Sequence, residues 1–215
     1  GGHPEGVVFT SGATEANTLA MKGTAGWVQE RGRHLIVSAV EHISVLNPIR
    51  DLVKHGWSVT MLPVDQEGWL DPDALRRALR ADTVLVSVMM ANPEIGSLEP
   101  ARSMAAVCRQ YGVPFHVDGV GAIGRIPLDA EAWWIDLVTL SGNDLYGPPG
   151  VGALYIRPGL KIAPQFLGGG QEGGLRSGSE NLPAIVGMGV AAEIMLREGS
   201  EEDHRLTQLR DQLIA

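Results

Sequence analysis

Residues 100–118 read PARSMAAVCRQYGVPFHVD, and this one stretch decides the fold class. Its first part, Pro100 to Tyr111, spaces apolar residues at helical intervals. Gly112 is a helix stop, and Pro114 to Val117 is a short apolar run that ends in a carboxylate, Asp118. A helix running directly into a buried strand is the unit of a parallel sheet covered by helices. Working outward, the same alternation continues in both directions. Apolar runs occur at Val7–Phe9, Leu35–Ser38, Ser58–Leu62, Val84–Met89 and Ile135–Leu140, with Val151–Ile156 a further strand. Between them the spacing predicts helices over Thr14–Glu30, Val45–His55 and Asp71–Leu79, with Gly32 and Gly56 as stops. The expectation is a three-layer α/β fold, a mostly parallel seven-stranded sheet with helices on both faces.

Beyond Ile156 the pattern changes. Leu167–Ser179 contains six glycines, and a loop of that length in a compact domain is usually functional or disordered. Pro183–Arg197 then reads as a helix rich in small apolar residues, and Glu201–Ala215 as a separate charged amphipathic helix. The division expected is a large domain over 1–200 and, over 201–215, a helix leading to a small domain that the chain does not include. The first residue is Gly1 rather than Met, so the natural amino terminus is expected to be missing or processed.

Bulk properties narrow the function. The 215 residues are 44% hydrophobic and 20% charged, enough to bury a full core. A formal net charge of −8 without any run of Lys or Arg excludes nucleic acid and an anionic membrane as main partners. No stretch is long and apolar enough for a membrane span. The single cysteine, Cys108, rules out an internal disulfide framework and a multi-cysteine metal site, suits a cytoplasmic location, and lies mid-helix as a small core residue.

In open parallel sheets ligands bind beyond the carboxyl ends of the strands. Four such places carry chemistry. Thr10-Ser11-Gly12-Ala13-Thr14-Glu15-Ala16-Asn17 is a small-residue turn opening a helix, whose free N–H groups and dipole suit a phosphate, although such a turn is more often only an N-cap. Glu41-His42 follows the second strand; a lone histidine there is usually structural or solvated. Asp118 at its strand end needs a cationic or donor partner, or else caps the next turn. Ser141-Gly142-Asn143-Asp144, taken singly, is only a turn.

In this order and spacing the four segments resemble the cysteine desulfurases, a branch of the class-V aminotransferase superfamily. Further along, Tyr146-Gly147-Pro148, Gly150 to Tyr155, Gly168 to Glu172 and Arg176-Ser177-Gly178-Ser179 resemble that family's later motifs, the last two its glycine-rich dimer loop. The resemblance implies the large domain of a fold-type-I pyridoxal phosphate protein. By it Ala13, Thr14, Ser141 and, from a neighbouring subunit, Ser179 hold the phosphate, His42 stacks on the ring, and Asp118 faces the ring nitrogen.

The departures from the pattern gather at the same ligand. Where the family has Ser-Gly-His-Lys, with the lysine that forms the Schiff base, this chain has Ser141-Gly142-Asn143-Asp144. An aspartate cannot form an imine. Pro93 and Gly121 stand where the family has an asparagine and a glutamine. Lys22, Lys54 and Lys161 are the only lysines, and none follows a strand end. The family's nucleophilic cysteine and its substrate-carboxylate arginine have no counterpart in this chain.

The expectation is therefore a pseudoenzyme or interaction subunit in a sulfur-transfer context, with no catalytic residue and no metal. Pyridoxal phosphate would be held noncovalently at best. Its partners would be a second copy, a catalytic homologue, or a sulfur-acceptor or scaffold protein. The alternative is a desulfurase or aminotransferase-like enzyme that uses noncovalent cofactor, or an active protein of which this sequence is a fragment or altered form.

Overall fold

The computed structural model describes residues 1–215. Seven strands form one sheet in the order β1-β7-β6-β5-β4-β2-β3. The strands are β1 (Val7–Thr10), β2 (His34–Ser38), β3 (Ser58–Leu62), β4 (Thr83–Met89), β5 (Phe115–Asp118), β6 (Leu137–Ser141) and β7 (Gly152–Ile156). Only β7 runs antiparallel to its neighbours, β1 and β6, so the other six strands deliver their carboxyl ends to one edge.

The helices are α1 (Ala13–Val28), α2 (Ile43–Lys54), α3 (Pro72–Ala78), α4 (Ala101–Tyr111) and α5 (Leu182–Ile214). On one face α1 and α2 bury Leu19, Met21, Val45 and Ile49 against Leu35, Val37, Leu85 and Leu154 of the strands. On the other, α3 and α4 bury Leu75, Met104 and Val107 against Ile36, Val86 and Phe115. Because both faces are covered, β2, β4, β5 and β7 are buried at every position. That is why they read as continuous apolar runs rather than as alternation. Two histidines inside this sheet are satisfied by hydroxyls. His34 lies 2.8 Å from Thr83 Oγ1 and 2.9 Å from Thr60 Oγ1, and His116 lies 2.8 Å from Ser87 Oγ and 3.0 Å from Thr139 Oγ1. Burial pushes the His116 imidazole down to about 3, so it stays neutral.

Local chemistry fixes the helix ends. Asp71 caps α3 by accepting from the N–H groups of Asp73 and Ala74, with Pro72 in the first turn. Gly112 ends α4 at φ 67°, a left-handed position that glycine occupies without strain.

One expectation is corrected. The two carboxyl-terminal helices are a single 33-residue helix, α5. Gly199, between the two expected helices, is buried where α5 crosses the Gly124 turn. A Cβ there would lie 3.4 Å from the Gly124 carbonyl oxygen and 3.2 Å from Met195 Sδ. The glycine serves close packing rather than termination. No helix is long and apolar enough to cross a membrane.

Candidate ligand site at the strand ends

The site is assembled from α1, α2 and the ends of β5 and β6. At the start of α1 the chain turns through Gly12 (φ 156°, ψ 176°), a conformation that favours glycine. No side chain caps this helix. Thr10 Oγ1 donates to the Gly12 carbonyl at 2.9 Å, and the first intrahelical bond is Ala16 N–H to Gly12 O at 3.1 Å. The first N–H groups of α1, from Ala13 to Glu15, have no intrahelical acceptor and lie at the positive end of the helix dipole, an arrangement that suits an anion such as phosphate. Close approach of β7 supports the turn: a Cβ on Gly152 would lie 2.6 Å from the Gly12 carbonyl carbon.

One helical turn on, Asn17 is fully buried and spends both amide hydrogens. Its Nδ2 donates to Asp118 Oδ2 at 2.8 Å and to Ser44 Oγ at 2.8 Å. Asp118 ends β5, is 4% exposed, and also accepts from Val120 N–H at 3.0 Å. Burial holds its carboxyl above the usual range, and neighbouring Asp144 adds to that shift, while the two donors and His42 oppose it. No lysine or arginine meets it.

Ser44 continues the chain of bonds. Its hydroxyl lies 2.7 Å from His42 Nδ1, and its N–H lies 3.2 Å from the same atom as His42 caps α2. An N–H aimed at Nδ1 requires that atom to be an acceptor. Since Ser44 Oγ already accepts from Asn17, its own hydrogen is free for Nδ1, and the ring carries its proton on exposed Nε2. Asp118, Asn17, Ser44 and His42 thus form one continuous polar relay from the β5 end to the mouth of α2.

Beside it lies Glu41, 7% exposed. Ser38 Oγ donates to Oε1 at 3.0 Å, the Met89 N–H donates to the same oxygen, and Oε2 has no partner. Burial, aided by the charge of Asp118, pushes this carboxyl up to about 8, so at neutral pH it is largely protonated. Asn17 Oδ1 is the other buried polar atom here without a partner.

Ser141 ends β6, next to β5, where Asp118 is in register with Thr139. Its Oγ receives the Asp144 N–H at 3.4 Å, at the start of the 3-10 turn Asn143–Leu145. Asp144 is half-buried, with no ion-pair partner. The lysines are elsewhere. Lys22 Nζ pairs with Asp51 at 2.7 Å, about 12 Å along α1 from Thr14 at 1.5 Å per residue. Lys161 lies 5.6 Å from the Trp27 ring centroid, and Lys54 is the exposed last residue of α2.

Ser179 sits in the glycine-rich loop of its own chain. It lines a cavity of about 190 Å³ with Phe9, Thr10, Ser11, Glu172 and Arg176. This loop folds back on the α1 turn. Glu172 accepts from Phe9 N–H at 2.8 Å, and Arg176 Nε bonds Glu15 Oε1 at 2.7 Å, while Glu15 Oε2 accepts from Ser11 N–H at 2.8 Å.

The structure therefore brings Ala13, Thr14, His42, Asp118 and Ser141 to one edge of the sheet. It puts Ser179 on the flank of the β1–α1 turn, exposed and on its own chain's loop. Sequence reasoning missed Asn17 and Ser44, and it missed the buried acid character of Glu41. A buried asparagine on the apolar side of α1 was the one available signal.

The residues fit the ring and phosphate of pyridoxal phosphate on two grounds. The first turn of α1 has no side-chain cap, which leaves its N–H groups free for an anion, and a buried carboxylate lacks a cation. They offer no amine for covalent attachment.

Comparison with known proteins agrees in fold and in sequence. The Aminotransferase class-V family matches residues 1–215. The chain is 47% identical over 214 residues to a cysteine desulfurase IscS of Dictyoglomus turgidum, covering 100% of this chain and 54% of that protein. It is 49% identical over 208 residues to IscS 1 of Archaeoglobus fulgidus, covering 97% and 54%. A solved NifS-like protein superposes with a TM-score of 0.96 at 38% identity, over 99% of this chain and 59% of that one. DndA of Streptomyces lividans does so at 0.93 and 35%, over 99% and 61%. The chain spans about half the length of the curated relatives it matches.

Proposed function

The chain belongs to the aminotransferase class-V family, and from that premise we propose that it is a cysteine desulfurase-like domain that binds its cofactor without a covalent link. It serves as a pseudoenzyme or interaction subunit in sulfur transfer. One observation carries this reading: the turn after β6 presents Asp144 beside Asp118, while all three lysines lie away from the strand ends. When bound, pyridoxal phosphate supplies an electron sink for bonds at an amino acid's α-carbon. The chain's own part is to orient. The Ala13–Glu15 N–H groups hold the phosphate, Ser141 supports the same end, Asp118 fixes the ring nitrogen, and His42 presents a ring with a defined tautomer. No side chain of the chain both attaches the cofactor and moves protons at the reacting carbon.

Partners in this reading are a second copy or a lysine-bearing homologue, met through the glycine-rich loop with Ser179 at its edge, and a sulfur acceptor or scaffold protein. The test is sulfide release from L-cysteine by the purified chain with added cofactor and a thiol reductant. Release equal to a cofactor-only control is expected. Sustained turnover above it would instead support the second reading, an enzyme working with noncovalent cofactor, which the intact phosphate cradle and Asp118 favour.

A further inference from the structure

The ionic character of the site says more than that a lysine is absent. Beyond the phosphate cradle, the strand-end edge carries Asp118, Asp144 and the buried acid Glu41, with no cation among them. Arg176, the nearest basic side chain to the cradle, is engaged by Glu15 at 2.7 Å, and Lys22 by Asp51 at 2.7 Å. Two buried polar atoms at this edge, Asn17 Oδ1 and Glu41 Oε2, have no partner in the chain. Asn17 is fixed against Asp118 by its own amide hydrogens, so its free oxygen is an acceptor held within the carboxylate cluster. Asp144 follows the end of β6, next to β5, and its carboxylate lies near enough to that of Asp118 to disfavour its ionisation.

A ligand complementary to this edge is anionic at one end and doubly cationic at the other. An aldehyde group brings no positive charge and no hydrogen-bond donor to Asp144. A primary ammonium brings one charge and three donors. We propose that the site selects the amine form of the cofactor, pyridoxamine 5′-phosphate, over the other B6 phosphates, with Asp144 as the partner of its ammonium group and Asp118 as the partner of its ring nitrogen. This rests on the reading above, that the strand ends hold a B6 phosphate noncovalently, and it changes which form that is. Asp144 is then a binding residue in its own right.

The test is equilibrium titration of the 215-residue chain with pyridoxamine 5′-phosphate and with pyridoxine 5′-phosphate, followed by calorimetry. Pyridoxine 5′-phosphate has the same ring and phosphate, with a neutral hydroxymethyl group that cannot condense with lysine. The amine form is expected to bind about tenfold tighter or more, the factor for one additional charge-assisted contact. In Asp144→Asn and in Asp144→Ser that preference should shrink to within about threefold, with binding of pyridoxine 5′-phosphate unchanged or improved. Equal affinities in the unsubstituted chain would overturn the proposal and leave the noncovalent-site reading standing. A preference that survives both substitutions would overturn the assignment to Asp144. No binding of either compound at millimolar concentration would overturn the proposal together with the reading it rests on.

Discussion

Asn17 is the residue on which the site's geometry turns, because its two amide hydrogens join Asp118 to Ser44, whose hydroxyl lies against His42. Asn17→Leu removes both donors at a fully buried position and leaves Asp118 and Ser44 short of partners. A loss of about 1–3 kcal/mol is expected by urea denaturation. In the isosteric Asn17→Asp the new carboxyl shares a proton with Asp118, and its oxygen facing Ser44 can only accept. The Ser44 hydroxyl then turns toward it and away from His42, and nitrogen NMR of the imidazole should show the Nε2–H form losing its dominance. Glu41 makes a second residue-level prediction. Its folded-state carboxyl is raised from about 4.5 to about 8, so the native state binds the proton more tightly than the unfolded chain. Its contribution is complete below the unfolded value and is lost as pH rises through the folded one. Between pH 5 and 8, on the order of that window, Glu41→Gln should flatten the fall in stability that the parent chain shows. None of these links was legible in the sequence. Asn17 lies 27 residues from Ser44 and 101 from Asp118, and only the packing of α1 between the β5 end and α2 brings them together. His42 and Asp118 were singled out because they stand at helix and strand ends, and the structure places them at one edge of the sheet.

At the scale of elements, Gly121 and Pro93, which the sequence reading set apart from the family resemblance, lie against each other. A Cβ on Gly121 would lie 2.6 Å from the Ala91 carbonyl oxygen and 3.5 Å from Pro93 Cδ, so the loop after β4 closes onto the turn after β5 only because position 121 has no side chain. Gly121→Gln should therefore cost about 1–3 kcal/mol by overpacking. That appears as a drop in Tm of about 2–4 °C per kcal/mol for a chain of this size. Combined with Pro93→Asn, it should cost less than the sum of the single changes, since the two sites share contacts. α5 makes the complementary case. Ala184 and Met188 pack on Leu145, Val151 and Ala153, whereas Leu209, Leu213 and Ile214 are exposed. Hydrogen exchange should find the amides up to Gly199 protected and those of the last turns open, as expected where few apolar contacts hold a helix. The strands and the first four helices were legible because each carries its own apolar run or apolar face. The continuity of α5 was not, because the small apolar residues up to 197 give way to a charged stretch from 201 that reads as a separate helix.

For the whole molecule, sheet order and the single reversed strand decide where ligand chemistry can occur. With six strands parallel, the β1, β2, β5 and β6 ends share one edge, and residues from 13 to 144 meet there. The fold class followed from alternation along the chain. The placement of β7 between β1 and β6 did not, since nothing in the pattern of residues 151–156 distinguishes an antiparallel strand from a parallel one. The measurement that bears most directly on the account is the intact mass of the chain after equilibration with pyridoxal phosphate, borohydride reduction and desalting. No stoichiometric adduct is predicted, because no lysine stands at the strand ends. One equivalent of reduced cofactor on Lys22, Lys54 or Lys161, with the matching loss of a protein-bound imine absorbance, would contradict it.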